Sequence, residues 1–230
     1  MLKQLLFLSV ITTPLLAEST VERCLHTCYA WFLGNQDATL SAQQAIREAL
    51  RNVGTHDTDK VAIKQMTPRA SQLVGEELSS FTLFGMWVDE KSRSDNTLQI
   101  FKDHHEASHH KLRHHPRLLK RIAACAGIAS AAGWLASRFG ASTIARVGIG
   151  TLSAAAIMTL LIYKFLLPHL RNQEKEADVL AAQTLQTIGR QDIVDDYLHR
   201  LELLAGHEKG SPYFPSIQES IDSLKGALKK

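Results

Sequence analysis

The run His105-Glu106-Ala107-Ser108-His109 constrains this chain most, because its residues can act together only if a helix carries them. Positions i and i+4 of a helix lie one above the other, so His105 and His109 could grip one metal ion with Glu106 beside them. Such a trio offers hydrolytic chemistry: a bound cation makes water more acidic, and Glu106 can take its proton for attack on a carbonyl. The same residues also suit a solvated, His-rich helix that binds metal adventitiously or titrates near neutral pH, since His104, His110, His114 and His115 stand close by.

A third ligand decides between these readings, because catalytic zinc normally takes three protein ligands and leaves a fourth position open. Glu174 and Asp178 are again four residues apart. A second helix could therefore offer one carboxylate to the metal and another, a turn later, to the free ring nitrogen of a ligating histidine. Read alone, the segment 171–178 is an ordinary charged helix face. Two imidazoles and a carboxylate favour zinc among the divalent ions.

The longer run His105-Glu106-Ala107-Ser108-His109-His110-Lys111-Leu112-Arg113-His114 resembles the extended H-E-x-x-H-x-x-x-R-H helix of the HtpX-like and CAAX prenyl protease family, membrane zinc metallopeptidases of the gluzincin class. Glu174-Lys175-Glu176-Ala177-Asp178 is similar to that family's E-x-x-A-D element. A hydrophobic helical hairpin commonly separates the two elements, and an apolar stretch lies between them here. The resemblance covers roughly residues 80 to 229. It implies His105, His109 and Glu174 as ligands of one zinc ion, Glu106 as general base and Asp178 as support behind a ligand. Toward the C-terminus it weakens: in Tyr213-Phe214-Pro215-Ser216-Ile217-Gln218-Glu219-Ser220-Ile221, Phe214 stands where the family has His and Ser220 where it has Arg. Transition-state support would then fall to another group, such as His207 or Tyr213.

With 230 residues, 45% of them hydrophobic and 21% charged, the chain can bury one sizeable core. Its net charge of +3 is small, and the basic residues gather beside the apolar segments, which argues for membrane phosphates and against nucleic acid. Residues 1–17 read as a signal peptide or N-terminal anchor, with a short basic start and an apolar run. An exported chain could form disulfides, yet Cys24 and Cys28, four apart, are awkwardly placed to bridge, and Cys125 reads as a small core residue.

Two apolar segments, Ile122 to Ser137 and Val147 to Leu167, predict a hairpin over residues 122–167 that spans or dips into a bilayer. A buried or interfacial hairpin is the alternative. Arg113, Arg117, Lys120, Arg121, Lys164 and Arg171 flank the segments, whereas only Arg138 and Arg146 lie between them, which by the positive-inside rule puts the zinc site in the cytoplasm. The leader would export it. A hairpin that dips without crossing reconciles the two, with the domain on the exported side of a cell-envelope membrane.

Elsewhere, Ala42, Ala45, Ile46 and Leu50 predict a helix over Ser41 to Asn52, and Lys60 to Met66 and Phe81 to Val88 read as strands, with Trp87 in the core and a turn over Asp89 to Asn96. Ile193, Tyr197, Leu201 and Leu204 share one face of a helix over Gln191 to Leu204. Ser216 and Glu219 form a capping box for a last helix, and Gly206 to Pro215 is a loop able to overhang a cleft. The expected architecture is a mostly helical α+β, gluzincin-like metallopeptidase domain over 18–230, with the hairpin inserted between the zinc-ligand helices. The expected function is zinc-dependent endopeptidase action on proteins or peptides at or in the membrane. Two alternatives stay open: a catalytically degenerate zinc protein that binds partners through the same cleft, and a His-rich metal-binding or pH-sensing membrane protein for which Glu106 and Glu174 are dispensable.

Overall fold

The amphipathic pattern after Thr39 forms helix α1 (Leu40–Asn52) in the computed structural model, which describes residues 33–74, 80–82, 85–90, 93, 96–205 and 214–229. The leader 1–17, Cys24, Cys28, His207 and Tyr213 lie outside the described residues. The fold is mostly helical with one small sheet, an α+β arrangement. Its described residues separate into two compact units, one of residues 116–170 and one combining 33–115 with 171–229.

In the larger unit, Ala42, Ile46, Ala49 and Leu50 form the buried stripe of α1, with Ala45 only half-buried. They pack on β1 (Ile63–Gln65) and β3 (Met86–Val88) through Val61, Ile63, Met86 and Val88. β1 runs parallel to β3, and β2 (Ser80–Thr82) pairs antiparallel on its other side with Phe81 opposite Trp87. The expected single strand over Phe81 to Val88 is therefore two strands. The fold-back gives Met86, Trp87 and Val88 neighbours on both sides, and all three are fully buried. Residues 33–38 cover the outer edge of β1, where Gln65 N–H donates to the Gln36 carbonyl at 2.8 Å. Gly34 serves that contact with φ of 134°, and a Cβ there would lie 2.2 Å from the Gln65 carbonyl oxygen. Its own carbonyl accepts from Trp87 Nε1 at 2.9 Å. The sequence reading missed α2 (Pro68–Val74), although Thr67 before Pro68 is a start signal: the Thr67 hydroxyl accepts from Ala70 N–H at 3.2 Å.

Helix α3 (Thr97–Lys111), capped by the Asn96 side chain, is buried on nearly every side. Ala107 joins the core with α1 and the sheet, while Phe101 joins a second core with Ala181, Ala182, Leu185, Ile193, Val194 and Leu224. This second core unites α3 with α6 (Leu167–Thr187), α7 (Gln191–Leu204) and α8 (Ile217–Leu228). The capping box of Ser216 and Glu219 forms as expected. Leu204 departs from the expected face, being 53% exposed at the end of α7.

In the smaller unit, α4 (His114–Ser137) and α5 (Thr143–Leu161) make the hairpin, with Ser142 capping α5. Both helices are long and apolar enough to cross a membrane. Ile128, Leu135, Ile144, Val147, Leu152 and Leu160 project outward from them, and Phe139 from the turn between. The helices meet at Gly133 and Gly150: a Cβ on Gly133 would lie 2.6 Å from the Gly150 carbonyl oxygen and 2.8 Å from Ala154 Cβ. Cys125 is buried, as expected of a small core residue. The helix that starts at Thr143 does not stop at the end of the hairpin but continues to Thr187. A π turn at Ile162–Leu166, with Leu167 N–H bonded to the Ile162 carbonyl, precedes Pro168. Proline lacks an N–H and crowds the carbonyl four residues back, and the widened turn accommodates both defects.

Close approach at Gly133 yields a controlled prediction. Gly133→Val overpacks the crossing and costs about 1–3 kcal/mol, whereas Gly127→Val and Gly148→Val, whose added Cβ meets nothing within 4 Å, leave stability within about 0.5 kcal/mol. Thermal unfolding of the detergent-solubilised variants measures the difference.

Candidate metal centre

Burial of α3 requires a partner for each polar side chain that it carries inward, because an unpaired buried donor or acceptor costs about 1–3 kcal/mol. Asp103 pairs with the Arg93 guanidinium and accepts from Gln99 Nε2 at 2.9 Å. His104 Nδ1 donates to the Ile100 carbonyl at 2.8 Å, and its Nε2 accepts from Asn52 Nδ2 at 3.2 Å. Burial pushes its pKa below the ordinary histidine value, which agrees with a neutral ring so bonded. The Ser108 hydroxyl donates back to the His104 carbonyl at 2.7 Å. His104 is thus a satisfied structural residue.

His105 faces different company. Its Nδ1 lies 2.8 Å from Asp178 Oδ1, and its Nε2 lies 3.3 Å from Glu174 Oε2. One turn on, His109 Nε2 is 3.0 Å from His105 Nε2 and 3.5 Å from Glu174 Oε1. His105, His109 and Glu174 therefore bring three ligand atoms together, as the i, i+4 spacing on α3 and the carboxylate on α6 predict. Asp178 sits one turn beyond Glu174 on α6, against the Nδ1 side of the His105 ring. Glu106 is buried on α3 next to His105.

The donor set suits a cation. With Nδ1 of His105 hydrogen-bonded to a carboxylate, the neutral ring turns its Nε2 lone pair toward a second imidazole nitrogen and a carboxylate. Three acceptors so close repel unless something positive lies between them. Tetrahedral zinc, with bonds of about 2.0–2.1 Å, separates its ligand atoms by about 3.3 Å. The two imidazole Nε2 atoms lie 3.0 Å apart and meet different oxygens of Glu174, at 3.3 Å from His105 and 3.5 Å from His109, spacings of the same order. A proton can play the same part: burial disfavours charge on His105, but its hydrogen bonds to Asp178 and Glu174 outweigh that and raise its pKa well above the ordinary value.

Phe214 is half-exposed, and its carbonyl accepts from Arg171 Nε at 3.0 Å; Ser220 is buried in α8. The sequence reading gave no role to Tyr197, whose ring stacks on Phe101 with centroids 3.7 Å apart. Nor did it give one to Glu176 or to His114, whose ring touches that of His109.

Because a protonated His105 must release its proton before the ring can ligate, cation uptake is linked to pH. Zinc affinity is expected to fall by about tenfold per pH unit as the pH drops below the raised pKa of His105. Titration calorimetry in two buffers of different ionisation enthalpy should find about one proton released per zinc bound at neutral pH. A value near zero would contradict a protonated His105 in the metal-free protein.

Comparison with known proteins adds one finding. Residues 104–196 match the model of Peptidase family M48, a stretch that runs from His104 through both hairpin helices to Asp196 in α7. Neither the curated proteins nor the solved structures gave a match. Over the stretch that carries His105, Glu106, His109, Glu174 and Asp178, the chain is similar to Peptidase family M48, whose members are zinc metalloproteases.

Proposed function

We propose that this protein is a zinc-dependent endopeptidase acting on proteins at or in a membrane. The observation that carries the proposal is the convergence of His105 and His109, from the helix that also bears Glu106, with Glu174 from α6. Similarity to a peptidase family over the same residues supports it. Bound zinc would supply Lewis acidity, polarising the scissile carbonyl and making water more acidic. His105, His109 and Glu174 would hold the ion, and Asp178 keeps the His105 ring turned to present Nε2.

Glu106 is assigned the proton transfers. Its carboxylate takes a proton from the attacking water as the C–O bond forms, then delivers it to the amide nitrogen as the C–N bond breaks. The base is regenerated in each cycle. Stabilising the developing oxyanion is assigned to His207 or Tyr213, in place of the family groups replaced here by Phe214 and Ser220.

Membrane action rests on the hairpin. Helices α4 and α5 turn large apolar side chains outward, a surface that suits lipid better than water. We assign residues 18–230 to the peptidase, with 122–167 as its membrane hairpin and 1–17 as leader or anchor. The catalytic side is assigned to the exported face of the envelope, so that substrates are membrane-associated proteins.

Metal content and casein cleavage, measured on detergent-purified protein, test the proposal. The wild type should hold one zinc per chain and cut casein. Glu106→Gln should keep the zinc and lose about 10²–10⁴-fold in rate, and Glu174→Ala should lose zinc. Full activity in Glu106→Gln would sink the mechanism, while a zinc-loaded wild type without activity would favour a non-catalytic zinc protein.

A further inference from the structure

On an unbroken helix His109 and His114 would point apart, since five residues turn through about 140°. The chain is broken between them. Helix α3 ends at Lys111, and Arg113 takes the left-handed region with φ of 54°, an uncommon conformation for any residue but glycine. The reversal brings the His114 ring edge-on to His109, with centroids 4.9 Å apart and planes at 79°. His114 is only 1% exposed. Its Nδ1 lies 2.9 Å from His109 Nδ1, its Nε2 lies 3.2 Å from Glu176 Oε2, and its carbonyl accepts from Gln173 Nε2 at 3.0 Å.

Hydrogen-bond chemistry fixes the direction of this chain. An ionised carboxylate can only accept, so His114 Nε2–H donates to Glu176. A neutral His114 ring then has a lone pair on Nδ1, and His109 Nδ1–H must be the donor to it. That leaves the lone pair of His109 on Nε2, the atom that faces His105 and Glu174.

We propose that His114 and Glu176 are positioning residues that hold His109 in its metal-ligating tautomer, doing for His109 through a second imidazole what Asp178 does for His105 directly. The inference rests on the metal centre of the preceding reading but not on proteolysis. The backbone conformation of Arg113 belongs to the same device, because without the reversal His114 could not reach His109.

Zinc affinity of the full-length protein in detergent, measured by competition with a chromophoric chelator, tests this alongside the visible spectrum of the cobalt-substituted form. Glu176 is 58% exposed, so Glu176→Ala and Glu176→Gln should fold, with any loss of metal-free stability limited to the one hydrogen bond to His114. Each is expected to weaken zinc binding about 10-fold or more and to shift the cobalt spectrum, as loss of a ligand's hydrogen-bond partner typically does. The glutamine is the sharper probe, because its amide can donate to His114 and reverse the chain. In a His114→Phe background the Glu176 substitutions should add less than about twofold, since both residues act through one path. Zinc affinity within twofold of wild type in both Glu176 variants would overturn the proposal, as would an undiminished Glu176 effect in His114→Phe. A wild type that binds zinc but cleaves nothing would fail the peptidase reading alone; one that takes up no zinc would overturn both.

Discussion

Helix α3 is the element on which the rest of the structure depends, because it is polar and yet lies inside. Ala107 and Phe101 tie it to two separate cores, so the helix cannot rotate to bring its polar groups to water without dismantling both. Every histidine, carboxylate and hydroxyl that it turns inward must therefore find a fixed partner. Arg93, Gln99 and Asn52 serve the structural members of the set, and Asp178 and His114 serve the two histidines that face Glu174. Rigidity at the candidate centre follows from that burial. Side chains held by packing and by hydrogen bonds have fixed separations, which is what preorganised ligation requires.

The two supports differ in kind. Asp178 reaches His105 directly from α6, one turn after Glu174, so a single helix supplies both a proposed ligand and the partner of another ligand. At His109 the support from α6 is indirect: Glu176 approaches through His114. The second arrangement depends on the break at Leu112 and Arg113. A left-handed residue other than glycine costs about 1–2 kcal/mol, a cost the surrounding contacts offset.

Between the two halves of the centre the chain leaves for a hairpin of another character. Small residues at Gly133 and Gly150 let its helices touch backbone to backbone, while large apolar residues face outward. The helix from Thr143 to Thr187 links that hairpin to the carboxylates without a loop. The π turn before Pro168 lets one continuous helix pass a residue that would ordinarily break it.

Local pattern was enough to read much of this. The i, i+4 spacings of His105 with His109 and of Glu174 with Asp178 survive any placement of the helices that carry them, because helix geometry alone puts each pair on one face. The amphipathic stripe of α1, the capping box of α8 and the two apolar segments are likewise properties of a few consecutive residues. What escaped the sequence reading were features whose meaning depends on a fold-back: the division of Phe81 to Val88 into β2 and β3, the opposite states of His104 and His105, and the contact of His114 with His109. The sequence alone marks out His105 and His109 by their spacing around Glu106, but it does not say what His104, His110 or His114 meet. The amino-acid order determined which groups could share a helix face; only the tertiary structure decided which of them meet a carboxylate, a carbonyl or another ring, because pairing across elements depends on distances that no local spacing encodes.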